Sequence, residues 1–462
     1  MKGYQHHKTG LHSKGRLYLG MENNMTRHNE HGIWSFRTKS TAAAGLLVTM
    51  MILLAAVGSQ AQTYQVIHNF AGGLDGSEPT SGVTLDAAGN LYGTTFEGDA
   101  LTGTVYRLVH KSSSWVLMPL YLFPYEGSGG SIPYARVIFG PDGGLYGTAA
   151  FGGNLQDCAG GGCGAVFNLK PPPNPPITPL SPWIETPLYL FAGGSDGANP
   201  FGADIIFDQA GNIYGTTYNG GIGNCTGGCG TVYKLTPSNG SWTESVTYSF
   251  TQGGDGQHPW GGVTFDQSGN LYGTTVYGGT YGKGAIYQLT PAGSGWTETV
   301  LYSFTGGTDG ANPYAGLILD QAGNLYGATS AGGSGNGGTV FDLTASKGNW
   351  TFNLLYSFTG ANGQFSAGPL ANLAFDSAGN LYGTTHGDGA YNFGSVFKLT
   401  PGAGGWTYAS LHDFSGGNDG GYPRSSIAFD KNGNMFGTAA QGGTGGSGNC
   451  YGPCGVIFEI TP

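Results

Sequence analysis

The chain has 462 residues, of which 90 are Gly and only 10% are charged, with a formal net charge of −10. Seven of its 17 Lys and Arg fall before residue 40, so from Gln62 onward 10 basic residues stand against 25 acidic ones, a net of −15. A surface so poor in bases repels phosphate backbones, which excludes nucleic acid as a partner.

The N-terminal segment reads as an export signal. Arg37 and Lys39 precede an apolar run from Ala42 to Val57, and Ser59-Gln60-Ala61 fits a small-x-small cleavage site. The run falls short of the roughly 20 residues of a comfortable membrane span. An uncleaved anchor is the alternative. Residues 1–36 are polar and include Met21 and Met25, either of which is a candidate start. No second apolar run lies near the C-terminus, so no anchor is expected there. The chain thus divides into a leader, 1–61, and a body, 62–462, expected to be secreted or held at the cell surface or in the periplasm.

The body is repetitive. Gly269-Asn270-Leu271-Tyr272-Gly273-Thr274 has seven versions, with aromatic residues Tyr92, Tyr146, Tyr214, Tyr272, Tyr326, Tyr382 and Phe436 spaced 54, 68, 58, 54, 56 and 54 apart. Periods of this size signal a propeller, solenoid or array. Within each repeat, short apolar stretches alternate with Asp-x-x-Gly-Asn and Gly-rich turns, the pattern of strands and hairpins. In the fifth repeat the strands fall at 316–320, 325–329, 339–343 and 350–358. No stretch of the body has a 3.6-residue apolar period, so no helix is expected. The third strand starts at Gly103, Gly164, Gly230, Gly284, Gly338, Gly394 and Gly455. The fourth opens on Trp115, Trp183, Trp242, Trp296, Trp350 or Trp406, and a Phe follows each Trp by eight residues.

There are therefore six internal fourth strands but seven of each other kind. The chain stops after the third strand of the last repeat, and residues 63–70 look like a fourth. Complementary ends predict a closed ring, which protects the sheet edges. The expectation is all-β: a seven-bladed propeller of four-stranded antiparallel blades, with the N-terminal strand completing the last blade. The Pro-rich insertion 171–182 accounts for the 68-residue spacing.

The Asp-x-x-Gly-Asn-[Leu/Ile]-Tyr-Gly-Thr core, the Gly-Thr-Val-Tyr/Phe-x-Leu-Thr strand and the Trp-Thr-x-x-x-Leu-Tyr-Ser-Phe strand resemble the GloVer-type tandem repeat of exported bacterial proteins. The first hairpin is also similar to that of NHL-type propellers. The resemblance covers nearly all of 62–462. It implies an extracytoplasmic repeat protein and brings no activity with it; fold alone does not give function.

Two sets of Asp recur. Asp86, Asp142, Asp208, Asp266, Asp320, Asp376 and Asp430 precede the hexapeptide and read as turn caps. Asp75, Asp196, Asp255, Asp309 and Asp419 sit in Gly-Gly-x-Asp-Gly loops between repeats, where turn chemistry and calcium ligation both remain open. No other cofactor is implied. The cysteines form three close pairs, Cys158/Cys163, Cys225/Cys229 and Cys450/Cys454. With an export signal, these read as disulfides within loops, each worth about 2 kcal/mol on the chain-entropy model.

One position varies where its neighbours do not. Each inter-repeat loop ends in Pro, followed by Thr80, Tyr134, Phe201, Trp260, Tyr314, Leu370 or Arg424. Entering the innermost strand, these side chains would ring one mouth of the central channel. Tyr134, Arg136, Phe201, Trp260, Tyr314 and Arg424 are the candidate ligand-binding residues, since aromatic faces beside Arg suit sugars or other polar organic ligands. The alternative is simple packing between blades. The second-to-third-strand loops share that face and carry Phe96, Glu97, Asp99, Phe151, Tyr218, Tyr277, Tyr281, His386 and Tyr391. No hydrolase elbow, zinc helix or phosphate loop occurs, and no catalytic residue is assigned. The expectation is a monomeric binding module for a glycan or an extracellular protein. A secreted lyase or hydrolase with its site at the mouth, or a purely structural surface protein, is the alternative.

Overall fold

The computed structural model describes residues 62–98, 102–124, 129–173, 183–202, 204–346, 348–360, 367–445 and 454–462. The leader 1–61, Asp99, Cys450 and residues 174–182 of the Pro-rich insertion lie outside the described residues.

The body is all-β, seven four-stranded antiparallel sheets. Blade five shows the pattern: Ile318–Leu319, Leu325–Thr329, Thr339–Ser346 and Asn349–Ser357. Only two single-turn 3₁₀ segments, Gly73–Asp75 and Cys158–Gly160, interrupt the strands and loops described. Closure occurs as the count of strands predicts. Thr63–Asn69 pairs antiparallel with Val456–Thr461, from Thr63 opposite Thr461 to Asn69 opposite Val456. The last blade is thus built from both ends of the body, and the outer side of Val456–Thr461 is paired like that of every other third strand.

The hexapeptide forms the second strand, buried at all five positions in each blade, as in Leu271–Thr275. Its Gly is needed for space. A Cβ on Gly273 would lie 2.3 Å from the Tyr287 hydroxyl of the neighbouring strand. The aromatic residue so accommodated meets the Phe at the end of the preceding blade's fourth strand. This edge-on pair recurs at every seam, from Phe70–Tyr106 at 5.4 Å to Phe414–Phe458 at 5.5 Å. Hence the Phe eight residues after each Trp: Phe70, Phe123, Phe191, Phe250, Phe304, Phe358 and Phe414 are all essentially inaccessible. Such pairs add about 0.5–1.5 kcal/mol beyond area burial.

The hexapeptide Thr latches one blade to the next. Thr94 donates to the carbonyl of Ala135, Thr216 to Gly261, Thr274 to Ala315, Thr384 to Ser425, and Thr438 to Pro79 and Ser81 across the closing seam. The recurrent Asp caps its hairpin. Asp266 accepts from the N–H groups of Ser268 and Asn270, the Asn270 amide and the Tyr272 hydroxyl. Burial alone would raise its pKa, but these donors together hold it below the usual carboxylate range. Blade two departs from the pattern. Gly140 takes the hairpin position of Asp, bonding Gly144, and Asp142 sits two residues later. From there it still accepts from Tyr146 and pairs with Lys170 at 2.6 Å.

The inter-repeat Asp residues also act within their loops. Asp255 accepts from the Thr251 N–H and the Tyr248 hydroxyl, and Asp309 from Thr305 and Tyr302 in the same way. Among the described residues, no three of His, Cys, Asp and Glu gather as a metal site. Cys158–Cys163 and Cys225–Cys229 are disulfides with Cα separations of 5.3 and 5.0 Å. Cys454 is fully buried.

Candidate functional site

Seven chain segments enter the propeller's first strands around one channel mouth, and their residues enclose a cavity of about 380 Å³. The Pro that ends each inter-blade loop fixes the backbone there, and the residue before it carries the strain. Glu78, Ile132, Asn199, His258, Asn312 and Tyr422 all have φ between 52° and 59°. That region is uncommon for any side chain and costly for β-branched Ile132. Hydrogen bonds to the preceding blade hold it: the N–H of Glu78 bonds Cys454 O, that of His258 bonds Cys229 O, and that of Asn312 bonds Lys283 O. Asn199 and Asn312 also donate their side-chain amides to the carbonyls of Ala150 and Val276. With the loop pinned behind the Pro, the side chain after it is carried to the mouth.

Tyr134, Arg136, Trp260, Tyr314 and Arg424 all line the cavity. Phe201 instead supports it from behind, its ring stacked on Trp260 at 4.8 Å and 5°. Trp260 leans over Gly202, where a Cβ would meet the indole nitrogen at 2.2 Å. It reaches past blade three to Tyr134 of blade two at 6.0 Å, and meets Tyr314 of blade five at 5.5 Å. Tyr218 packs edge-on against it, and Phe96 backs Tyr134. Packing and exposure therefore coexist: Trp260 is wedged on one side yet remains half-buried at the cavity wall.

The polar residues lie mostly across the mouth, in blades six, seven and one. Arg424 is exposed at the rim. His386 faces the cavity and packs on Tyr422 at 5.2 Å. Burial, with the Arg424 charge second, pushes its pKa down to about 3, so the imidazole is neutral at ordinary pH. Glu78 is a half-buried acid on this side. Burial first, then Glu97, raises its pKa against the pull of Arg424. Arg136 is paired, its Nε 2.7 Å from Asp204 Oδ2. Asp204 escaped the sequence reading because blade three has one extra residue between its Pro200 and the buried Ile205 than blade two has between Pro133 and Val137. Of the remaining loop residues, Tyr277 meets Tyr314 hydroxyl to hydroxyl at 3.5 Å, and Phe151 packs on Phe201. Tyr281 and Tyr391 are exposed.

The model of the Gloeobacter/Verrucomicrobia repeat matches residues 53–225 and 223–451. The chain belongs to that family. The family's matched repeats thus contribute to every blade of the ring. No curated protein matches the sequence. Among solved structures, the chain is similar to a putative 6-phosphogluconolactonase from Bacteroides fragilis, at 15% identity over 82% of this chain and 88% of that one, TM-score 0.45. A second, from Bacteroides uniformis, is 14% identical over 82% and 90%, TM-score 0.43. A putative oxidoreductase (glucose dehydrogenase) from Thermus thermophilus is 15% identical over 72% and 97%, TM-score 0.41. Likeness at this level says nothing of this family member's activity.

Proposed function

We propose that the protein is an extracytoplasmic binding module that takes a glycan at the channel mouth. The observation that carries this is the wall made by Trp260, Tyr134 and Tyr314, set opposite hydrogen-bonding groups across a cavity of about 380 Å³. A flat apolar face with polar groups opposite matches a sugar ring, which is apolar on its C–H face and polar at its edge. The volume falls within the roughly 300–1,000 Å³ typical of small-molecule sites. Export is supported by the two disulfides, which persist in oxidising compartments. No helix among the described residues is long and apolar enough to cross a membrane.

A hydrolytic reading has one observation on its side. Glu78 has a raised pKa beside Glu97, the kind of environment that makes a general acid. Glu78 does not line the cavity, however, so binding is the reading preferred.

The test is a glycan array probed with the wild type, Trp260→Ala and Trp260→Leu. Leu restores apolar volume over Phe201 and Gly202 but offers no flat face. Both variants should lose the bound glycans while the Leu variant keeps a near-normal melting temperature. Retention of the same glycans by Trp260→Leu would make Trp260 a packing residue and overturn the proposal.

A further inference from the structure

The mouth has two chemically distinct halves, and the second half specifies more than a neutral sugar. Resting on the glycan reading above, we propose that the ligand is a saccharide bearing a carboxylate, its ring against Trp260 and its acid group held by Arg424 and Thr80.

The polar half is rich in donors. Among the described residues, the four ion pairs do not include Arg424. Next to it around the ring, in blade one, comes Thr80. It is only 7% exposed, yet its hydroxyl has no hydrogen-bond partner. A buried orphan hydroxyl costs about 1–3 kcal/mol unless something fills the need, and this one belongs to a residue of the cavity wall. Asn372 accepts from the Gly316 N–H with Oδ1 at 2.7 Å. Its NH₂ group is thereby left to donate at the wall.

Charge narrows the ligand further. Among the described lining residues Asp204 is the one acid, and Arg136 neutralises it. His386 is neutral. Among the described lining residues, one charge without an ion-pair partner therefore remains, and it is the Arg424 cation. A planar carboxylate matches a planar guanidinium in shape and in unit charge. A dianionic phosphate would leave one charge unmatched in a body whose net charge is already strongly negative. Among the described lining residues, the aromatic half in blades two to five presents no cation besides the paired Arg136, so the acid is directed to Arg424.

Glu78, close to Arg424 but off the cavity wall, competes with the ligand for the guanidinium. Its removal should strengthen binding of the acid.

Calorimetry decides the matter with tetragalacturonate, its full methyl ester, tetrasaccharides of glucuronate and mannuronate, and benzoate. The preferred acid tetrasaccharide should bind about tenfold or more tightly than its neutral ester. Arg424→Gln should erase that difference by weakening the acid alone, and Glu78→Gln should strengthen the acid alone. Arg424 is exposed, so its substitution leaves the fold in place, as an unchanged melting temperature would verify. Equal binding of acid and ester, or an acid preference that survives Arg424→Gln, overturns the carboxylate assignment and leaves the glycan reading standing. Neutral glycans bound on the array while every uronate fails does the same. Benzoate binding as tightly as the acid sugar overturns the saccharide part, and a blank array overturns both proposals.

Discussion

Replacing three half-buried glutamates should make the ring more stable at pH 8 and leave it unchanged near pH 4.5. Glu185, Glu244 and Glu298 occupy one repeated position, two residues after the Trp that opens the fourth strand. In later blades that position holds Phe352, Tyr408 and Tyr64, which stack flat on Tyr302, Tyr356 and His412 of the blade before. The three Glu sit in the equivalent seams instead, each with a buried Oε1 that has no hydrogen-bond partner. Burial raises all three pKa values to about 7, helped by Asp196 at Glu244 and Asp255 at Glu298. The other groups facing them are tyrosines, neutral in this range: Tyr121 at Glu185, Tyr189 and Tyr233 at Glu244, Tyr248 and Tyr287 at Glu298.

The folded pKa lies above the ordinary 4.5, so the folded chain holds protons that the unfolded chain has released. Stability from this source is fully present below about pH 4.5 and is lost as pH rises through about 7. At about 1.4 kcal/mol per pKa unit, the full shift would be roughly 3 kcal/mol per Glu. Each carboxyl is about half exposed, and solvent screening brings that to about 1 kcal/mol. Gln has the same shape and does not titrate. The triple variant Glu185→Gln, Glu244→Gln, Glu298→Gln should gain about 3 kcal/mol at pH 8. For a body of about 400 residues the unfolding entropy is about 0.8 kcal/mol/K, so the gain is about 3–4 °C in melting temperature. Calorimetric melts of both proteins at pH 4.5, 6 and 8 test this. A difference between variant and wild type that is the same at all three pH values would refute it.

Two smaller predictions come from the repeated positions. Tyr106, Tyr233 and Tyr287 bury hydroxyls without partners where the other blades use Phe, so Tyr287→Phe should hold or raise stability by up to about 1 kcal/mol in a denaturant titration; a loss of that size would mean the hydroxyl is satisfied after all. Thr384→Val should cost about 1–2 kcal/mol by removing the latch to Ser425, whereas Thr148→Val, at a hydroxyl that has no partner, should cost nothing; equal losses would show that the latch contributes nothing.

The ring was legible because each part of it repeats. Seven Gly-led third strands against six internal Trp-led fourth strands already required residues 63–70 to complete the last blade, and Thr63–Asn69 does so. Four of the candidate mouth residues were legible for the opposite reason: Tyr134, Trp260, Tyr314 and Arg424 vary directly behind a constant Pro and line the cavity, whereas Phe201, in the same register, packs behind Trp260. What escaped was whatever broke register or crossed a seam. Asp204 was hidden by one extra residue in blade three. The reach of Trp260 to Tyr134 joins blades two apart, and no periodicity encodes it. The Thr latch was in plain sight in the hexapeptide, but its acceptor is a backbone carbonyl some 41–45 residues on, and carbonyls leave no mark in a sequence.

The same division explains how the fold can tolerate a binding site. Residues that repeat spend their chemistry on the ring: Asp on its hairpin, Thr on the next blade, Phe on the seam, Gly on making room for a neighbouring aromatic. Six of the seven loop entries are strained at the residue before Pro, and that strain is held by bonds to the preceding blade, not by the residue after Pro. The residue after Pro is therefore free of the backbone's constraint, even where its ring packs on a neighbour. It can be Thr in one blade, Trp in another and Arg in a third without disturbing the blade beneath. A mouth built this way can be asymmetric on a nearly symmetric ring, with aromatics over blades two to five and donors over six, seven and one. That asymmetry is what a ligand with one apolar face and one charged edge would require.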